Sequence, residues 1–385
     1  MTTQAQAEAL KAGLEGVIAG ESKICLIDGE NRKLSYRGYD VADLSKYSSF
    51  EETTFLLLNG RLPSVNELEV FKNELAKARY IPSQILAMIA LVPPQTHPMD
   101  MLRTIVSALS QHEPDVSDNS TEANLRKATR LIAQAPVIVA AYHRLRNGLQ
   151  PIPPIKKLNL ASNFLYMLTG EEAHEYAEKV FDMCMILHAD HCFNASTFTA
   201  RVTAATLSDL HSAITSAIGA LKGKLHGGAN QEVMELLNKI GSIENVSPYL
   251  TKMFEEGKKV PGFGHRVYRT CEDPRATILR ESSKELGICE NNTKWFEISK
   301  AIEDFVVHST QEKGKPLYPN VDFYSASTYH VLKIEPQLFT PIFAMSRLAG
   351  WCAHVIEQHA NNRLIRPQAH YIGERDLSYV LLDKR

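Results

Sequence analysis

The chain has 385 residues, a hydrophobic content of 44% and a formal net charge of −2 at neutral pH. This length allows a large core and predicts two lobes. The small net charge provides no field that would favour nucleic acid or an anionic membrane as a partner. Apolar runs such as Val137–Tyr142 are far shorter than the roughly 20 residues of a membrane-spanning helix.

The N-terminus and the cysteines predict a cytoplasmic protein. Residues Met1–Glu8 contain neither the basic nor the apolar segment of a secretory signal. The six cysteines are scattered and form no Cys-x-x-Cys pair. Such a distribution is typical of reduced, mostly buried thiols.

Strand signals are confined to the first 40 residues, where Lys23–Ile27 and Lys33–Tyr36 flank the turn Asp28–Asn31. They predict a small hairpin. Beyond it the apolar spacing is helical, and Ser49 and Ser64 each precede a glutamate by three residues, which is the spacing of a capping box. The predicted fold class is mainly α. Helices are predicted near 99–110, 121–147, 158–168, 172–190, 195–220, 230–240, 293–310 and 336–362.

Glycine and proline cluster around 223–230, 257–264 and 314–319. These residues interrupt regular structure and mark connections. We therefore predict a large helical domain formed by 1–226 and 334–385, and a small inserted domain at 227–333.

His265 lies between a glycine-rich turn and several arginines. Gly262 and Gly264 flank Phe263, and residues without a Cβ let the backbone approach a ligand closely. A histidine there is suited to donate or accept a proton near neutral pH. The alternative is an exposed basic loop. The arginines that could bind carboxylates or phosphates are Arg266, Arg269 and Arg275.

His226 precedes two glycines at a predicted helix start. The positive end of a helix dipole favours a neutral imidazole, which can donate a hydrogen bond to a developing oxyanion. The alternative is a hinge histidine that only caps the helix.

Asp322 lies among Val321, Phe323 and Tyr324 after a proline-rich loop. A carboxylate in apolar surroundings has a raised pKa and is a stronger base, which suits proton abstraction next to a carbonyl. The alternative is a helix-capping aspartate. In the same loop, Lys313 and Lys315 could bind phosphates or only solvate the segment.

His188 and His191 share a predicted helix face. No His-Glu-x-x-His motif or set of cysteines accompanies them, so we expect no metal. The alternative is a metal-dependent hydrolase that uses these histidines. Arg347 lies beside an apolar helix stripe, where an unpaired charge would be costly, so it should meet a carboxylate of the protein or of a substrate. Neither a Gly-x-x-x-x-Gly-Lys nor a Gly-x-Gly-x-x-Gly motif is present, which argues against nucleotide hydrolysis and nicotinamide chemistry.

Three motifs together resemble the citrate synthase family, in its short bacterial and archaeal form that also includes 2-methylcitrate synthases. They are His226 in His-Gly-Gly-Ala-Asn, His265 in Gly-Phe-Gly-His and Asp322 in Pro-Asn-Val-Asp-Phe. The resemblance extends from Gly13–Val17 to Tyr371–Gly373 and implies a two-domain helical fold. A non-catalytic helical protein would be expected to lack one of these motifs, and none is lost.

The resemblance implies condensation of acetyl-CoA with oxaloacetate to citrate. Asp322 would remove a proton from the acyl-CoA, His226 would hydrogen-bond the thioester oxygen, and His265 would protonate the oxaloacetate carbonyl. Hydrolysis of citryl-CoA would then release CoA. No cofactor is implied besides the acyl-CoA co-substrate.

The resemblance also implies binding residues and a homodimer. His191, Arg275 and Arg347 match positions that bind oxaloacetate, and Arg366 matches one contributed by the partner subunit. The large domain would carry the dimer contacts and the small domain would bind CoA. The matching CoA positions are Lys259, Val260, Gly262, Phe263, Gly264, Lys313 and Lys315.

Three positions depart from the family pattern. The spacing from His265 to Arg275 is one residue longer, so Arg269 could take part of the role of Arg275. Cys192 stands where an acidic residue is expected. Ala326 stands where many citrate synthases have glycine, and alanine is more common among 2-methylcitrate synthases, so propionyl-CoA is the alternative substrate.

Overall fold

The computed structural model describes residues 11–385. This part of the chain contains sixteen α-helices and one small sheet, so the predicted mainly α class is confirmed. No helix in it is long and apolar enough to cross a membrane. The helices are α1 (Val41–Tyr47), α2 (Phe50–Asn59), α3 (Val65–Ala78), α4 (Ser83–Leu91), α5 (Pro98–Leu109), α6 (Thr121–Arg146), α7 (Leu160–Thr169), α8 (Glu175–His188), α9 (Ala195–Ala204), α10 (Leu210–Leu221), α11 (Ala229–Ile240), α12 (Val246–Glu255), α13 (Pro274–Cys289), α14 (Lys294–Gln311), α15 (Val321–Val331) and α16 (Phe339–Ala360).

The predicted hairpin is confirmed. Strands β1 (Cys25–Asp28) and β2 (Lys33–Tyr36) pair antiparallel, and a short third strand, β3 (Tyr39–Asp40), extends the sheet beside β2. The Asp28 carboxylate accepts the N–H groups of Glu30 and Asn31 at 3.1 and 3.0 Å. A side chain that bonds its own turn in this way stabilises the reversal locally.

Local capping explains several helix starts. Ser64 and Glu67 form the complete capping box at the start of α3. Ser49 caps α2 through its hydroxyl, which accepts the N–H of Glu52 at 3.2 Å. Each arrangement satisfies backbone donors that the first helical turn leaves free.

The prediction of one helix over 195–220 was wrong. Leu207 has a φ of +64°, which ends the first helix, and Asp209 caps the second by accepting the N–H of Ser212 at 3.0 Å. Asp273 caps α13, and Pro274 occupies the first helical position. No individual helix was predicted at the positions of α1, α4, α12, α13 and α15.

Helix α16 lies at the centre of the larger core. It is buried over nearly its whole length and packs against α2, α6, α8, α9 and α10. The N–H of Gly350 donates to the carbonyl of Ala189 at 3.1 Å, and a Cβ at Gly350 would lie 2.4 Å from that oxygen. This glycine therefore lets α16 approach the end of α8 closely.

Residues 22–363 form one compact unit, and residues 364–385 belong to a second unit with the described residues that precede Ser22. The division into a large domain (1–226 and 334–385) and a small domain (227–333) stays a prediction. Residues 1–10, on which the prediction about a signal peptide falls, lie outside the described part.

Candidate active site

His226 lies in the turn between α10 and α11, where its ring meets Ser196. Its Nε2 lies 2.7 Å from the Ser196 hydroxyl and 3.2 Å from the Ser196 backbone nitrogen. Because a backbone N–H can only donate, Nε2 is the accepting nitrogen, and the neutral ring carries its proton on Nδ1. Burial, followed by the charge of Arg347, lowers the pKa of His226 to about 4. The imidazole is therefore neutral and has one donor, Nδ1–H, left for a ligand.

The glycine after His226 is required by the tight turn. The N–H of Gly227 donates to the carbonyl of Leu221 at 2.9 Å, and a Cβ at this position would lie 2.3 Å from the same oxygen. No residue with a side chain fits without moving the backbone.

Ser196 is a site residue that sequence reasoning missed. Asn194 caps α9, and Ser196 lies in its first turn. The Ser196 hydroxyl accepts the indole N–H of Trp351 at 3.2 Å, which ties it to α16. The signal in the sequence was the segment Asn194–Phe198, which lies within the range that resembles the family but to which no role was assigned.

His265 presents the opposite tautomer. Its Nδ1 accepts the backbone N–H groups of Val267 and Tyr268 at 3.0 and 3.3 Å. The neutral ring therefore carries its proton on Nε2. Burial, followed by the charge of Arg275, lowers the pKa of His265 to about 4. His265 thus offers a neutral Nε2–H donor.

Backbone hydrogen bonds join the glycine-rich loop to the loop before α15. Gly264 donates to the Tyr318 carbonyl, and Asn320 donates to the Gly262 carbonyl, both at 2.9 Å. Gly262 and Gly264 have φ values of +77° and +81°. A Cβ at Gly262 would also lie 2.9 Å from the Phe323 ring. The glycines therefore allow both the backbone conformation and the close contact with α15.

Asp322 occupies the first turn of α15, where its backbone N–H donates to the Asn320 side chain at 3.0 Å. Its side chain is not the helix cap, so the capping alternative is wrong for this residue. The residue is 9% exposed, and Oδ1 has no hydrogen-bond partner among the described residues. Burial raises the pKa of Asp322 to about 7. The carboxylate is a strong base with a free oxygen.

Two buried arginines border this cluster. Arg275 forms two hydrogen bonds with the Asp273 carboxylate, at 3.0 and 2.7 Å. Burial disfavours its charge, yet the adjacent Asp273 raises the pKa of Arg275 above its ordinary range. Arg347 donates from Nε to the His188 carbonyl at 2.6 Å and stacks on Phe343. No ion pair joins Arg347 to a carboxylate of the described chain, so this guanidinium is suited to bind an anionic ligand.

His191 lies beside these groups. Its ring is 5.1 Å from the His265 ring between centroids, and its Nε2 has no hydrogen-bond partner among the described residues. Burial, followed by the charges of Arg275 and His265, lowers the pKa of His191 well below its ordinary value. The neutral ring can therefore hydrogen-bond a ligand between the arginines and His265.

Cys192 follows in an unusual backbone conformation, with a φ of +53°. Its N–H donates to the buried Asp190 carboxylate at 3.0 Å, and that carboxylate lies 3.4 Å from His354. Position 192 therefore carries a thiol, and the buried carboxylate of Asp190 lies one residue before His191.

A cavity of about 440 Å³ opens next to His265. It brings together four of the predicted CoA-binding residues: Lys259, Val260, Phe263 and Gly264. Arg269 also lines it, whereas Gly262, Lys313 and Lys315 do not. Lys313 instead lies over the ring of Phe254, at the cavity wall, 5.4 Å from the centroid.

A larger cavity, of about 620 Å³, lies between α2, α3 and α6. Its charged residues include Arg126 and Arg130, which pair with Asp115 and with Glu113. None of the histidines or aspartates of the cluster above lines it, whereas His265 lines the smaller cavity.

The structure does not join His188 to His191 as a ligand pair. His188 is fully buried in α8, and its Nδ1 donates to the Cys184 carbonyl at 2.7 Å. No group of three metal-ligating side chains occurs in residues 11–385.

Arg366 belongs to the unit of the terminal segments and is exposed in the single chain.

The fold and the site define a class: a helical enzyme with two neutral histidines, a basic carboxylate and arginines for an anionic substrate. Residues 13–368 match the family model described as citrate synthase, C-terminal domain. The citrate synthase of Haloferax volcanii is 49% identical, over 98% of this chain and 99% of that protein. The citrate/2-methylcitrate synthase of Bacillus subtilis is 42% identical, over 94% and 96%.

A solved structure agrees over the whole fold. Citrate synthase from Thermoplasma acidophilum, solved as a ternary complex with carboxymethyl coenzyme A and oxaloacetate, superposes with a TM-score of 0.92 at 32% identity, over 98% of this chain and 99% of that one. The chain belongs to the citrate synthase family.

Proposed function

We propose that this chain condenses acetyl-CoA with oxaloacetate and water to give citrate and CoA, with Asp322, His226 and His265 as the catalytic residues. The observation that carries the assignment of roles is Asp322, a buried carboxylate with a free oxygen and a pKa of about 7. Such a group can remove a proton next to a thioester carbonyl at neutral pH.

The two histidines act as neutral donors with opposite tautomers. The Nδ1–H of His226 hydrogen-bonds the thioester oxygen as the enolate forms, because Ser196 occupies its Nε2. The Nε2–H of His265 protonates the oxaloacetate carbonyl as the new carbon–carbon bond forms, because backbone N–H groups occupy its Nδ1. Hydrolysis of the citryl-CoA then releases both products.

Oxaloacetate binds through its carboxylates. Arg347 and Arg275 supply positive charge for these carboxylates, and His191 supplies a neutral ring. Among the described residues, the Arg347 guanidinium donates to the His188 carbonyl and forms no ion pair with a carboxylate. The cavity lined by Lys259, Val260, Phe263 and Gly264 takes the CoA, with Lys313 and Lys315 near its phosphates. Closure of the small domain (227–333) on the large one would exclude water until condensation is complete.

The chain acts as a cytoplasmic homodimer in which Arg366 completes the partner's oxaloacetate site. The support is the apolar surface of the C-terminal segment, where Ile372 is 91% and Leu382 78% exposed in the single chain. Exposed apolar side chains clustered in one segment mark a surface that another chain covers.

The decisive experiment is CoA thiol release with oxaloacetate, measured for purified wild type and for Asp322→Ala. Wild type is expected to release CoA, and the variant is expected to retain oxaloacetate binding with negligible turnover. Asp304→Ala, an exposed aspartate of α14, is the control. A catalytic base contributes ~10²-fold or more to the rate. If Asp322→Ala keeps even a tenth of wild-type turnover, Asp322 is not the base.

Ala326 supports a second candidate, 2-methylcitrate synthesis from propionyl-CoA. This residue lies one helical turn after Asp322 in α15 and is fully buried. A single methyl group in a substrate pocket discriminates by ~1–3 kcal/mol. Measuring kcat/KM for acetyl-CoA and for propionyl-CoA, in wild type and in Ala326→Gly, separates the two candidates. If wild type prefers propionyl-CoA, the proposed product is 2-methylcitrate and not citrate.

A further inference from the structure

The turn of the β1–β2 hairpin touches the loop that carries His265. The position of a Cβ on Gly29 lies 2.7 Å from the carbonyl oxygen of Val267 and 2.9 Å from its side chain. The Cys271 thiol donates to the Gly29 carbonyl at 2.9 Å. Two residues of the loop therefore rest against one glycine of the hairpin.

Val267 is also one of the two residues whose backbone N–H groups orient His265, and it makes the shorter of the two hydrogen bonds. Its N–H donates to Nδ1 of His265 at 3.0 Å, while its carbonyl faces Gly29. A displacement of Val267 by the hairpin would therefore move the hydrogen bond that sets the tautomer and direction of the ring.

A second set of contacts continues from the hairpin toward α15. Arg32 pairs with Glu272 at 3.3 Å, and Glu272 also pairs with Arg280. Arg280 binds Glu303, which accepts the hydroxyl of Tyr324, two residues after Asp322. Because Arg32 is 48% exposed in its side chain, its pair is screened and weak. The close contact at Gly29 is the stronger constraint.

We propose that the β1–β2 turn is a positioning element for the proton donor, in which Gly29 and Cys271 hold Val267 and thereby aim Nε2–H of His265 at the substrate carbonyl. This inference rests on the proposed role of His265. It assigns a function to the N-terminal hairpin, which contributes no group to the reaction itself.

Gly29→Ala tests the contact directly. The φ of Gly29 lies outside the left-handed region, so the backbone accepts alanine, but the added Cβ must push Val267 away. We expect kcat to fall on the order of tenfold to a hundredfold, while KM for oxaloacetate stays unchanged. Because the overlap also lowers the unfolding temperature, kcat is measured well below that temperature, where the variant is folded. Glu30→Ala, an exposed position in the same turn, is the control and should leave kcat unchanged.

The Cys271 variants test the same contact without adding atoms. Cys271→Ala removes the donor to Gly29 and should lower kcat, whereas Cys271→Ser keeps a donor and should restore it. A purely structural role would lower the unfolding temperature and leave the kcat of the folded enzyme intact. Wild-type kcat in both Gly29→Ala and Cys271→Ala would overturn the proposal.

His265→Ala separates this inference from the proposed function. If His265→Ala keeps turnover, the assigned role of His265 fails and the hairpin has no donor to position. If His265→Ala is inactive while Gly29→Ala and Cys271→Ala are both fully active, only the role of the hairpin fails.

Discussion

The side-chain amide of Asn320 donates to the carbonyl of Gly264 at 3.0 Å. The oxygen of the same amide accepts the backbone N–H of Asp322 at 3.0 Å. One side chain therefore connects the residue before His265 to the first turn of the helix that carries the base. Together with the backbone hydrogen bonds between the two loops, this side chain fixes the separation between the proposed acid and the proposed base.

Asn320→Ala should consequently impair catalysis more than stability. Loss of a helix cap costs about 1 kcal/mol of stability, but loss of the link to Gly264 also lets the two catalytic segments move apart, so kcat should fall on the order of tenfold or more. The measurement is kcat together with thermal unfolding. Asn159→Ala is the matched control, because Asn159 caps α7 in the same way, accepting the Ser162 N–H at 2.7 Å. Equal kcat in the two variants would contradict the linking role.

The pH dependence of kcat/KM for acetyl-CoA should report the ionisation of Asp322. Burial raises the pKa of Asp322 to about 7, and only the ionised form is a base, so kcat/KM should rise with pH up to about 7 and level off above it. The histidines do not contribute this limb, because the pKa values of His226 and His265 are both lowered to about 4. A profile that is flat between pH 5 and 8, the range that brackets this pKa, would be inconsistent with Asp322 as the base.

Ser196→Ala should lower kcat through His226. The backbone N–H of Ser196 remains on Nε2, but the hydroxyl at 2.7 Å is lost. The indole N–H of Trp351 also loses its acceptor, and a buried donor left unpaired costs about 1–3 kcal/mol of stability.

Three measurements test this role of Ser196. Trp351→Phe removes the indole donor alone and separates the stability effect from the kinetic one. Thr199→Ala, at a half-buried position of α9 whose hydroxyl donates to the Ala195 carbonyl at 2.8 Å, is the control. If Ser196→Ala loses stability but keeps wild-type kcat, the Ser196 hydroxyl supports the fold and not the position of the His226 ring.

Arg347→Lys should weaken oxaloacetate binding. Lysine cannot reproduce the fork of two parallel donors that a carboxylate accepts. Because hydrogen bonds to charged groups contribute about 1.5–3 kcal/mol, KM for oxaloacetate should rise on the order of tenfold to a hundredfold. Arg79→Lys is the control, since Arg79 is also buried but donates only to the carbonyls of Ile155 and Leu158, at 3.1 and 2.8 Å. A KM that rises equally in both variants would point to a general effect of losing a buried guanidinium.

The features that were predictable from the sequence depend on neighbours along the chain. The hairpin at Asp28–Asn31 and the capping box of Ser64 are closed by hydrogen bonds over three residues. His226, His265 and Asp322 could be singled out because each lies in a distinctive local context of glycine or proline. The break at Leu207, between α9 and α10, was missed. Asp209, which caps α10, is a single residue inside a segment whose apolar spacing is otherwise helical.

The chemistry of the site was decided by packing between distant segments. The tautomer of His226 depends on Ser196, 30 residues away, and Arg347 meets the His188 carbonyl across 159 residues. The sequence suggested a helix dipole as the reason for a neutral His226, whereas burial and the charge of Arg347 lower its pKa. Local sequence determines turns, caps and helical faces through short-range hydrogen bonds and sterics. Proton positions and pKa values depend on desolvation and on charges, which only the folded chain brings together.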